Sequence, residues 1–229
     1  MKYPRNETFD SEFAKIPNIA WYPYIGSNFC QSENRIMVYA HNIPIRDADY
    51  EELKARWIDP ATWANSIEEY TYTRGWWTEA FRYFIKGAVG LSENYDAASP
   101  PAIKGKIDDF VSRIAYLNFI QELVLSDSQM ANATQEQIES SKHINRDILK
   151  ILKITHCICW GSPTYNYVKG INNFSLKSET DEGKRGFSSC ILNTDLGYDL
   201  NVLRIHHPSM PNFDAYSEYT QRIISKFIT

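Results

Sequence analysis

Four short apolar runs, each ended by polar residues and separated by segments of helical period, constrain the fold of this chain more than any other feature. Runs of this length suit strands and are too short for buried helices. The first, Arg35-Ile36-Met37-Val38-Tyr39-Ala40, stops at His41-Asn42-Ile43-Pro44. The second, Ile114-Ala115-Tyr116-Leu117-Asn118-Phe119-Ile120, carries Asn118 near its end. The third covers 154–160 and stops at Gly161-Ser162-Pro163, and the last covers 202–206 and leads into His207-Pro208-Ser209. A further strand candidate, 187–192, precedes a turn region at 193–201.

Between the runs the period changes. Residues 51–57 and 63–70 predict short helices broken by Pro60, and Thr73 is placed to cap a longer one bearing Trp76, Trp77, Ala80, Phe81, Phe84 and Ala88, closed by Gly90. A short helix is expected at 107–111, after Ser99-Pro100-Pro101. Thr134 with Gln137 is a capping-box signal for a helix with Ile138, Ser141, Ile144, Ile148, Ile151 and Leu152 on one face. Another helix starts at 164–169, residues 169–184 read as a long polar surface loop, and Phe213, Tyr216, Tyr219, Ile223 and Phe227 mark a final amphipathic helix. This alternation predicts an α/β three-layer α/β/α sandwich with a mainly parallel, roughly four-stranded central sheet. At 229 residues, one domain over 1–229 is expected.

With 24 basic against 28 acidic residues the formal net charge is -4, which excludes a broadly basic nucleic-acid binder but not a local basic groove. The apolar runs are too short to span a membrane, and the charged start at 1–6 leads into no apolar signal region, so no membrane partner and a cytoplasmic location are expected. Of the four cysteines, Cys157 and Cys159 fall on one face of a strand and read as reduced, buried thiols; without a Cys-x-x-Cys pair, no metal and no cofactor are expected.

In open α/β sheets ligands bind at the carboxyl ends of the strands. Here those ends carry His41 and Asn42, Asn118, Gly161 and Ser162, and His206, His207 and Ser209. Imidazoles, carboxamides and hydroxyls on one rim suit a planar polar ligand, and no Asp or Glu ends a strand in the set.

The ordered trio of an Asn-containing turn after the first strand, Asn118 in an Ala-Tyr-Leu-Asn run, and His207-Pro208-Ser209 after the last strand resembles the uracil-DNA glycosylase superfamily. Trp21-Tyr22-Pro23-Tyr24-Ile25-Gly26-Ser27-Asn28-Phe29 is similar to the Pro-aromatic-x-Gly segment of a divergent bacterial branch. The resemblance implies a hydrolase of the N-glycosidic bond of a deaminated or damaged, uracil-like base in DNA. Asn42 would place the attacking water, Asn118 would read the base edge, and His207 would stabilise the anion developing on the departing base. Met210, at the start of the loop after His-Pro-Ser, would be an apolar wedge, with His41 and Ser209 beside the substrate. A stacking aromatic is also implied, with Tyr24, Phe29, Trp76 and Trp77 as candidates.

The chain departs from that pattern where Ala40-His41-Asn42-Ile43-Pro44 replaces a glycine-led motif, and Asn42 orients water but accepts no proton. The alternative is a non-catalytic protein that binds a nucleobase, nucleotide or nucleic acid in the same pocket. Hydrolysis by Ser162 with His207 is a third reading, without a nucleophile-elbow motif around Ser162. Lys169, Lys177, Lys184, Arg185 and Arg204 flank the later strand ends, where a basic rim could form.

Overall fold

The structure is a computed structural model that describes residues 5–45, 49–56, 58–72, 76–125, 133–181, 183, 186–210 and 217–228. Its strands are β1 (Tyr24–Ile25), β2 (Ile36–Ala40), β3 (Ile43–Ile45), β4 (Ile114–Asn118), β5 (Leu123–Leu125), β6 (His156–Trp160), β7 (Ser175–Asp181), β8 (Ser188–Asn193) and β9 (Leu200–Ile205). The helices used below are α5 (Trp76–Ala88), α6 (Pro101–Arg113), α7 (Gln135–Leu152), α8 (Gly161–Lys169) and α9 (Ser217–Ile228), preceded by the shorter α1 (Asp10–Phe13), α2 (Tyr50–Arg56), α3 (Pro60–Asn65) and α4 (Ile67–Tyr72).

The apolar runs form the centre of the sheet. β2 and β4 are buried at all five positions and β6 at its last four, as expected of strands covered on both faces. They pair in parallel in the order β4-β2-β6-β9. Ala40 lies opposite Asn118, Tyr39 opposite Cys159, and Trp160 opposite Ile205, so the carboxyl ends of the four strands are level.

The expected four-stranded sheet is only this parallel part. The full sheet has seven strands in the order β1-β4-β2-β6-β9-β8-β7, and β1, β8 and β7 all add antiparallel, making it mixed. The long polar loop expected at 169–184 contains β7, which is exposed at every position and so has no apolar alternation to reveal it. An irregularity between Leu176 and Ser178 interrupts its pairing with β8. β3 and β5 form a separate two-stranded parallel sheet.

Helices touch both faces of the parallel core. Trp160 of β6 meets Phe84 of α5 at 5.3 Å and His156 meets Phe227 of α9 at 5.1 Å, on one face. On the other, the Arg204 guanidinium of β9 lies 5.7 Å from the Tyr165 ring of α8. The layering departs from a plain sandwich at β7, which leaves the helix-covered region.

Local signals explain most helix ends. The Thr134 hydroxyl accepts from Gln137 N at 3.2 Å while the Gln137 side chain accepts from Thr134 N at 2.9 Å, closing the capping box of α7. α6 begins at Pro101 and runs well past the expected 107–111, because Pro in the first turn starts a helix as readily as it stops a preceding segment. Trp57, Thr73, Lys184, Arg185, Phe213 and Tyr216 lie outside the described residues, as do the side chains of Trp76 and Trp77. No described helix is long and apolar enough to cross a membrane. Cys157 and Cys159 are buried, and burial pushes both thiols well above their usual range, which keeps them protonated.

Candidate functional site

The level strand ends bring Asn118, His41 and His207 to one rim. The β6–α8 turn passes beside His207 through Gly161, whose φ of +79° belongs to the left-handed region that favours glycine. Strand alternation puts Asn118 on the same face of β4 as Tyr116. Tyr116 meets Trp160 at 5.5 Å, and Trp160 meets the His207 ring edge-on at 5.8 Å. Aromatic surface therefore runs from the Asn118 face to His207.

The His207 ring has a defined tautomer. Ser209 N lies 3.3 Å from Nδ1 and can only donate, so Nδ1 accepts and the proton sits on Nε2; the Ser209 hydroxyl is also 2.7 Å from Nδ1. Met210 N donates to the His207 carbonyl at 3.0 Å and closes the turn. Burial, with the nearby His41 imidazole as the second cause, lowers the His207 pKa from 6.5 to about 4. At neutral pH the ring is an uncharged Nε2–H donor.

This shift has a consequence for stability. The folded chain holds a proton on His207 less tightly than the unfolded chain, so its contribution is complete above about pH 6.5 and is lost as pH falls toward about 4. His41 and His156, also lowered by burial, act in the same direction. Urea unfolding at pH 7 and pH 4.5 should show a loss for the wild type in which His207 accounts for roughly 2–3 kcal/mol. His207→Gln should lose that share of the pH dependence, and an unchanged dependence would refute the assignment.

Asn118 is 5% exposed, and its carboxamide has no hydrogen-bond partner among the described residues. Its backbone is fixed: Gln121 Nε2 donates to the Asn118 carbonyl at 3.2 Å, Gln121 N donates to Ser141 Oγ at 3.0 Å, and Asn145 Nδ2 donates to the Phe119 carbonyl at 2.7 Å. A nearly buried carboxamide at a strand end, with neither its donor nor its acceptor engaged by another described residue, has the chemistry to pair with a planar polar group.

His41 and Asn42 follow β2 directly, and both are partly buried. His41 Nε2 is 3.4 Å from the Tyr167 hydroxyl, and the Tyr167 ring in turn meets Phe119 at 5.6 Å. Tyr167 was not legible as a site residue, because it lies 126 positions from His41 on an otherwise ordinary helix. Ser209 and Met210 are exposed, with Met210 at 53%.

Other candidates lie apart. Tyr24 and Phe29 are core residues at 2% and 0% exposure, and a Cβ on Gly26 would overlap the Ser112 carbonyl, so this aromatic segment has a packing role. His206 packs edge-on against Phe187 at 5.3 Å. Ser162 Oγ accepts from Arg204 Nη1 at 3.1 Å, while His207 Nδ1 is engaged by Ser209, an arrangement without a Ser162–His207 pair. Much of the basic rim is internally compensated: Lys169 pairs with Glu179 at 2.8 Å and Lys177 with Asp199 at 2.5 Å. Among the described residues no group of three or more His, Cys, Asp or Glu side chains is disposed to hold a metal.

The arrangement thus defines a mixed α/β protein with a polar, aromatic-backed rim at the carboxyl ends of its parallel strands. No protein-family model matches the chain, and no curated protein matches it.

Proposed function

We propose that this chain is a uracil-DNA glycosylase-like hydrolase that releases a deaminated or damaged, uracil-like base from DNA. The observation that carries the reading is the nearly buried Asn118 carboxamide, without a hydrogen-bond partner among the described residues, on the rim where His207 offers an uncharged Nε2–H. The carboxamide suits the acceptor and N–H of a uracil edge. As the bond from C1′ to the base breaks, its electron pair moves onto the base, and the His207 donor stabilises the charge growing on the carbonyl oxygen. Water oriented by Asn42 adds to C1′ and gives up a proton to solvent, and the departed base anion takes one up from solvent. Met210, exposed after His207-Pro208-Ser209, would wedge into the stack vacated by the base. On this reading the four parallel strands and the helices on their two faces are an α/β/α glycosylase-like core, and β1, β8 and β7 extend it.

A second reading rests on position 42, where a carboxamide stands in place of a group that could take the proton of water: the same pocket holds a nucleobase, nucleotide or nucleic acid without cleaving it. Incubation at stoichiometric protein with oligonucleotides containing uracil, hypoxanthine or xanthine separates the two. The hydrolase reading requires abasic product from at least one of them. No product, together with thermal stabilisation by a nucleobase that His207→Ala abolishes, would replace it with the binding reading.

A further inference from the structure

The hydrolysis proposed above takes a proton from the attacking water, and few groups at the rim can receive it first. The Asn42 and Asn118 carboxamides bind no proton near neutral pH. His207 already carries its proton on Nε2, and its Nδ1 accepts from the Ser209 amide. The Tyr167 hydroxyl keeps its own proton, because burial raises its pKa. Of the side chains gathered at this rim, that leaves the imidazole of His41.

His41 is fixed from two sides. Phe119 N donates to the Ala40 carbonyl at 2.9 Å and Ile120 N to the His41 carbonyl at 3.0 Å, so the pairing of the β2 and β4 segments continues past the strand ends and holds the His41 backbone. The ring centroid lies 5.6 Å from that of Tyr167, with Nε2 3.4 Å from the Tyr167 hydroxyl. Among the described residues, the titratable groups that face the ring are Tyr167 on α8 and His207 after β9. Asn42, which orients the water in the proposed reaction, is the next residue in the chain. Burial lowers the His41 pKa from 6.5, so at neutral pH the ring is uncharged and one nitrogen bears a lone pair. A weak base suffices here, since water bonding to an electron-poor C1′ is far more acidic than bulk water.

We propose that His41 is the first acceptor of the proton lost by the attacking water, with Tyr167 accepting from Nε2–H so that the lone pair stands on Nδ1. The inference rests on the hydrolase reading. In the step the water oxygen bonds to C1′, one of its O–H bonds breaks, and the proton passes to Nδ1. The imidazolium then hands it to solvent, from which the base anion takes one up, and His41 ends neutral.

Single-turnover excision tests this on whichever of the uracil, hypoxanthine and xanthine oligonucleotides the wild type cleaves fastest. Protonated His41 has no lone pair, so the wild-type rate should rise with pH and level off above a pKa lying below 6.5. NMR titration of the His41 ring protons should return the same pKa. His41→Gln should cost about 10²-fold in kcat, the lower end for a positioned base, with KM little changed and that inflection lost. Tyr167→Phe keeps the ring but removes the oxygen that fixes the tautomer, and should slow the reaction several-fold and shift the inflection. His41→Ala should regain rate in added imidazole, which a packing role would not produce. A wild type that cleaves none of the three overturns the hydrolase reading and this inference with it. Cleavage by the wild type with an unchanged rate and pH profile in His41→Gln, or in Tyr167→Phe should His41→Gln not fold, overturns this inference alone. So does an inflection that follows His207 at about 4 instead of His41.

Discussion

Under the proposed hydrolase function, replacement of His207 by alanine is expected to lower the rate of base release by roughly 10²–10³-fold, the range seen when one donor to a developing oxyanion is removed. The expectation follows from three features of the ring. Its proton is fixed on Nε2 by the Ser209 amide, it is uncharged at neutral pH, and its edge contact with Trp160 limits its orientation. An uncharged donor gains most when the acceptor becomes anionic, so the loss should fall on kcat more than on KM. Ser209→Ala removes the hydroxyl but keeps the amide, so it should cost less. Single-turnover excision on the best of the three oligonucleotides measures both. A His207→Ala protein that cleaves at the wild-type rate would remove His207 from the mechanism.

The second large effect concerns Trp160. Only 2% exposed, it touches Phe84 at 5.3 Å, Tyr116 at 5.5 Å and His207 at 5.8 Å, and so ties α5, β4 and the rim together. Trp160→Ala should destabilise the chain by about 3–5 kcal/mol, the range for large aromatic truncations in a core. It also opens the environment that desolvates His207, so the imidazole pKa should move from about 4 back toward 6.5. Urea unfolding gives the first quantity, and NMR titration of the histidine ring protons gives the second in Trp160→Phe, which retains most of the core volume. A His207 pKa that moves less in Trp160→Phe than in Trp160→Ala is the expected order, and one that stays near 4 in a folded Trp160→Ala would exclude Trp160 as its cause.

How far the fold was legible depended on burial. β2, β4 and β6 are covered on both faces, so their apolar runs stood out, and the position of Asn118 and His207 at strand ends was legible because each ends or follows such a run. The Thr134–Gln137 pair marked the start of α7 because its two hydrogen bonds are local in sequence. Long-range geometry was not legible in the same way. β1 has two residues and β3 and β5 three each, too few for a period to register. The Tyr167 contact with His41 depends on how α8 returns over the sheet.

The irregular pairing of β7 has a consequence for the chain in concentrated solution. An edge strand presents free amides and carbonyls that a second chain can adopt as a template, the first step of edge-to-edge aggregation. This edge places Lys177, Glu179 and Asp181 along its length, and the break between Leu176 and Ser178 disturbs the straight ladder that an incoming strand would need. Charge would have to be desolvated and the register matched across a kink. The sheet is thus protected against growth at the end where it leaves its helices.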